Sequence, residues 1–114
     1  MAAAFLPWEK WLARLLHTIA VALKRRVYQV RRRRYLEQSR DWPRSEGTVH
    51  SIEWDSSFPR EEIVYYYRTE QGYHSGRYWH WFDSTNPRLV RAGDRIALRY
   101  DPADNDKSVF LEFC

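Results

Sequence analysis

The chain has 114 residues, a net charge of +4 and one cysteine, Cys114. That length allows one domain plus an appendage, and a lone cysteine excludes an internal disulfide or a cysteine-built metal clip. The charge is unevenly spread: residues 1–44 hold 11 Lys/Arg against 3 Asp/Glu (11 − 3 = +8), and residues 45–114 hold 8 against 12 (8 − 12 = −4), so a basic arm precedes an acidic body.

The arm, residues 1–40, reads as an amphipathic helix. At 100° per residue Trp8, Trp11, Leu12, Leu15, Leu16, Ile19 and Leu23 share one face, and Val30 continues it. Lys10, Arg14, His17, Lys24 and Arg25 fall on the other side. Pro7 suits the first helical position, where its missing N–H is not needed. The opening does not read as a secretory signal, because Glu9, Lys10 and Arg14 interrupt the apolar run and the arginines come after it.

Trp11 to Leu23 covers only about 20 Å as a helix, against roughly 30 Å of hydrocarbon. Each charge near the bilayer centre costs about 2.5–3.5 kcal/mol, so a span is not expected. The helix suits the membrane interface, with tryptophans and leucines at the acyl boundary. Lys24, Arg25, Arg26, Arg31, Arg32, Arg33 and Arg34 then form a polybasic stretch for anionic headgroups, each worth about 1 kcal/mol before screening. This predicts a peripheral protein on the cytoplasmic face of a membrane. Three other destinations suit the same helix: its own β-domain, a second chain in a homo-oligomer, or nucleic acid.

Residues 41–114 read as a compact aromatic β-domain. Asp41-Trp42-Pro43 breaks the helix, since the residue before proline leaves the helical region. Five strand-like runs come next: 47–54, 61–69, 73–82, 95–100 and 108–113. Glu70-Gln71-Gly72 and Arg91-Ala92-Gly93-Asp94 read as turns, Asp83 to Pro87 and Asp101 to Asp106 as loops, and Gly76 as a bulge. The expected fold is mainly β with an N-terminal α-helix, the strands forming a small antiparallel five-stranded barrel or sandwich. Six Trp, eight Tyr and five Phe supply the burial a small core needs.

Trp42-Pro43, Glu46-Gly47-Thr48-Val49, a Tyr-rich strand ending in Gly72-Tyr73-x-x-Gly76, and Gly93-Asp94-x-Ile96-x-Leu98-x-Tyr100-Asp101-Pro102 occur in that order. This succession over residues 42–112 resembles the bacterial family called domain of unknown function 3592. The resemblance implies a β-domain associated with membranes. It implies no activity and no catalytic residue.

The chemistry-bearing residues are few. His74 and His80 share a strand face about 20 Å apart, too far for one metal ion, and His50 brings no obvious third ligand. Asp101, Asp104, Asn105 and Asp106 crowd one loop without the spacing of a calcium loop. With no phosphate-cradling loop or nucleophile motif, the sequence predicts a non-enzymatic accessory protein without cofactor, whose β-domain is an interaction module for a partner protein. The alternative is a single-stranded nucleic-acid-binding barrel with a basic arm, whose stacking rings would be Tyr65, Tyr67, Tyr73, Trp79 and Trp81.

Overall fold

The computed structural model describes residues 7–82 and 89–114. Among the described residues one helix, α1 (Pro7–Gln38), precedes five strands: β1 (Arg44–Trp54), β2 (Arg60–Thr69), β3 (Gly72–Trp81), β4 (Arg95–Asp101) and β5 (Asp104–Phe113). All five expected strands are present. The expected loop from Asp83 to Pro87 lies outside the described residues. The chain divides into two compact units, one ending at Arg32 and the other beginning at Arg33.

The second unit therefore starts inside α1. The last helical residues are tied to later parts of that unit: Tyr35 meets Trp42 edge-on at 5.8 Å, and Arg99 Nη1 donates to the Leu36 carbonyl at 3.5 Å. Ser39, fully buried, donates its amide to Tyr35 O at 3.0 Å. Trp42 N closes the turn on Ser39 O at 2.9 Å. Pro43 then starts the extended chain.

The sheet is antiparallel, in the order β3-β2-β1-β4-β5. Its two ends approach each other, giving a nearly closed, barrel-like sheet. The long β1 makes this geometry: its first half pairs with β4 and its second half with β2, with a register shift at His50. Such a shift adds twist and bends the strand. The expected bulge at Gly76 is thus a correction, because Gly76 pairs regularly with Tyr65. Its missing Cβ serves another purpose, since a Cβ there would overlap the phenol end of Tyr65.

Gly76→Ala should therefore cost about 1–3 kcal/mol, the usual range for an overpacked core. Urea unfolding read by tryptophan fluorescence measures it; an unchanged midpoint would mean that Tyr65 yields freely.

The turns match their residues. Gly72 and Gly93 adopt φ of 114° and 93°, which glycine enters without a Cβ penalty. The last loop is shorter than expected. β5 begins at Asp104, because Asp101 Oδ1 accepts from Ala103 N at 2.9 Å and turns the chain within two residues.

The core comprises Val49, Ile63, Tyr65, Tyr67, Ile96, Leu98 and Phe110, with Tyr78 and Phe113 packed against it. Tyr78 stacks on Phe110 at 3.9 Å, joining β3 to β5. Polar contacts tie β2 to β5 as well. Tyr65 OH and Ser108 Oγ are 2.7 Å apart, and the Tyr67 hydroxyl donates to the Asn105 carbonyl.

The Tyr67 phenol is held above its ordinary value of 10.0, first by burial and then by the charges of Asp106 and Asp104, against a lowering by Ser108. A raised folded-state value adds stability below pH 10 and loses it as pH rises through that value. Stability should fall in alkali, and Tyr67→Phe should flatten that fall while costing about 1 kcal/mol at neutral pH for the lost hydrogen bond. Denaturant curves at neutral and alkaline pH decide it; an unaltered alkaline slope would show that Tyr67 does not carry the effect.

Candidate functional site

Residues 8–34 of the predicted anchor all lie on α1. The sequence that makes it a helix is plain: Arg and Leu are the commonest residues, and Asp, Gly and internal Pro are missing from 8–38. Trp8, Trp11, Leu12, Leu15, Leu16, Ile19 and Leu23 are each exposed, from 40 % at Leu12 and Leu15 to 65 % at Trp11. Helical geometry places them on one stripe, and the same geometry ends it. Arg26 returns to the line of Trp8 after five turns, and Arg33 lies within about 20° of that line. Val27 and Val30 continue the apolar surface beside them and are also exposed.

Lys24, Arg26, Arg31, Arg33 and Arg34 are exposed, whereas Arg25 and Arg32 are half-buried. The four consecutive arginines are helical, so they radiate in all directions. The structure thus gathers the apolar residues onto one face and distributes the cations round the next turns. Among the described residues no helix is long and apolar enough to cross a membrane.

On the barrel, the expected stacking rings need correction. Tyr65, Tyr67 and Trp81 are buried, and Trp79 lies under the Arg60 guanidinium, whose carbon is 3.8 Å from the ring centre. Tyr73 is exposed as expected, and Tyr66 joins it. Their rings are 6.4 Å apart; His50 stands 6.2 Å beyond Tyr66, and Arg68 lies 5.7 Å from Tyr73. The outward phase of β2 is the even one, because Ile63, Tyr65 and Tyr67 fill the core.

Two histidine arrangements carry the chemistry of this unit. Thr69 Oγ1 receives Asn105 Nδ2 at 3.0 Å and Gln71 N at 3.2 Å. Its own proton therefore points to His74 Nε2, 3.0 Å away, leaving His74 Nδ1 to donate to Asp106 at 2.7 Å. Carboxylate, imidazole and hydroxyl stand in the order of a nucleophile-activating relay. Here the hydroxyl is already doubly engaged, and the chain of bonds ties the β2–β3 hairpin to β5 as a strut. The crowded Asp101–Asp106 segment is thereby accounted for by turns and by this strut.

The second arrangement is buried. Glu61 and His80 face each other across β2 and β3, are 0 % and 1 % exposed, and join Oε1 to Nδ1 at 3.1 Å. His80 also lines a cavity of about 360 Å³ whose apolar walls include Leu89, Val90 and Phe113. His80 is visible in the sequence as a strand histidine, but its partner is easily missed there. A signal exists: Glu61 opens the inward series Glu61, Ile63, Tyr65, Tyr67, a charged residue in the apolar phase. Among the described residues no group of three His, Cys, Asp or Glu side chains is placed to hold a metal ion.

Compared with known proteins, the chain matches no family model, no curated protein and no solved structure.

Proposed function

We propose that this chain is a peripheral membrane protein without catalytic activity, in which α1 lies in the interface of an anionic bilayer and the barrel is the interaction module it carries. The observation that supports this most is the exposed stripe from Trp8 to Leu23, succeeded at once by seven cations from Lys24 to Arg34. An apolar face of that length left in water is unfavourable, and monomeric proteins rarely keep one without a partner. Two tryptophans at the start of the stripe suit the headgroup boundary, and the cations suit anionic lipid on the cytoplasmic face. The resemblance of residues 42–112 to domain of unknown function 3592 belongs to the same proposal and favours a membrane setting. For the barrel, the outward row of His50, Tyr66 and Tyr73 is the surface offered to a partner protein.

One observation favours a second reading. The Tyr66–Tyr73 row beside Arg68 lies on β2 and β3, the face small five-stranded barrels use for oligonucleotides. Against it, residues 45–114 carry 8 Lys/Arg and 12 Asp/Glu (8 − 12 = −4), and Arg60 and Arg77 pair with Asp55 and Glu62 at 2.8 and 3.4 Å. A backbone-tracking groove needs unpaired cations.

The two readings separate by ligand and salt. The full chain should bind vesicles containing phosphatidylglycerol more tightly than neutral vesicles and keep an apolar, salt-resistant part of that binding. Tight binding to a single-stranded oligonucleotide, falling steeply with log salt and without vesicle binding, would replace the membrane reading with the second.

A further inference from the structure

Resting on the membrane reading above, we infer that Arg26 and Arg33 bind the phosphates of anionic lipid and hold α1 oblique to the bilayer. The Trp8 end then lies at the acyl boundary and the arginine end at the headgroups. α1 runs unbroken from Pro7 to Gln38, so one angular scale serves its whole length. Taking Trp8 as zero, Trp11 stands at about −60° and Leu16 at about +80°, which puts the centre of the stripe near about +10°. Leu15 and Ile19 flank that centre line at about −20° and +20°. Arg26 falls on it at about 0°, and Arg33 at about −20°. Both arginines are exposed, and exposed Val30 lies between them at about +40°. The line that begins apolar therefore turns cationic without changing direction.

A helix laid flat on this face would drive two guanidiniums down to the depth of Leu15 and Ile19. Inserting one arginine costs more than several valines return, so Val27 and Val30 do not offset it. Cations on the flank of a helix escape by snorkelling, their stems bent up to the interface. Arg26 and Arg33 leave from the centre of the face, where the helix itself blocks that route. Raising the arginine end removes the conflict. About 27 Å of helix axis separates Leu12 from Val30, so a lift of about 5–10 Å needs a tilt of about 10–20°. At that height each guanidinium meets phosphate, to which its planar fork donates two parallel hydrogen bonds.

Depth along the helix is the readout. With the only cysteine removed as Cys114→Ser, the full chain carries one nitroxide at Leu12→Cys, Ile19→Cys or Val30→Cys. These positions share a helical line to within about 20° and are all exposed, so the labels spare the fold. On phosphatidylglycerol vesicles, paramagnetic-resonance depth measurement should place the Leu12 label about 5–10 Å below the Val30 label, with Ile19 between. Arg26→Leu with Arg33→Leu should abolish that gradient and sink the Val30 label to the depth of the Leu12 label. Arg26→Lys with Arg33→Lys keeps the charge but loses the fork, and should weaken vesicle binding a few-fold. Three labels at one depth, or a gradient that survives the leucine variant, would overturn the oblique pose while leaving the membrane reading intact. Lysines that bind as tightly as the arginines would overturn the phosphate contact. Failure of the unlabelled full chain to bind these vesicles would overturn the membrane reading and the pose with it.

Discussion

Leu15→Glu with Ile19→Glu is expected to weaken binding of the full chain to anionic vesicles about a hundredfold. Both residues lie mid-stripe and are exposed at 40 % and 45 %, so neither is needed for the core of the barrel. Partial burial of each side chain in the acyl boundary contributes about 1.5 kcal/mol, and losing both removes about 3 kcal/mol, two powers of ten in affinity. Two new carboxylates facing an anionic surface add repulsion. The barrel should be untouched, which near-ultraviolet circular dichroism can verify. Changing Lys24, Arg25 and Arg26 to glutamine instead should weaken binding chiefly at low salt, because their attraction is screened within about 10 Å at 0.1 M ionic strength. A double-glutamate chain that still sediments with vesicles would refute an apolar anchor.

His80→Ala should destabilise the second unit by about 3 kcal/mol, because it leaves Glu61 at 0 % exposure with its facing imidazole gone. For a domain of this size each kcal/mol moves the midpoint by roughly 4–8 °C, so the loss would be roughly 12–24 °C. Glu61→Leu alone should also cost stability, by stranding the imidazole. Replacing both, as E61L with H80F, puts apolar groups where two partners stood and should recover at least half of the summed loss. Thermal unfolding of the wild type, E61L, H80F and the double variant gives the coupling term, expected to exceed about 1 kcal/mol. Simple additivity would show that the two side chains act independently and that their 3.1 Å contact contributes nothing.

The elements of this fold are largely legible in the sequence, because each rests on local periodicity. A period of 3.6 holds from Trp8 to Leu23, and turn residues at Gly72, Gly93 and Asp101-Pro102 separate strand-like runs. What local pattern does not supply is phase. Tyr65, Tyr66 and Tyr67 put an aromatic on both faces of β2, so which rings are inside depends on how the sheet closes. The same limit misplaces the bulge. Gly76 looks like a kink, but its missing Cβ makes room for Tyr65 from the neighbouring strand, and the register shift falls at His50 instead. The end of α1 lies within two residues of its expected place, yet the division at Arg32 and Arg33 falls inside the helix because Tyr35 and Leu36 engage Trp42 and Arg99. The anchor residues are readable because they share one helical face. The Glu61–His80 pair and its cavity are not, since they join residues 19 positions apart with walls from the far end of the chain.

The most direct test of the membrane reading is sedimentation with phosphatidylglycerol vesicles of two proteins, the full chain and a chain beginning at Arg33. Cutting there keeps Tyr35 on Trp42 and leaves the second unit whole. The full chain should pellet at low salt and in part at high salt, while the shortened chain stays in solution. Equal behaviour of the two proteins would contradict an anchor built on α1, and the stripe from Trp8 to Leu23 would then fall to the β-domain, a second chain or nucleic acid.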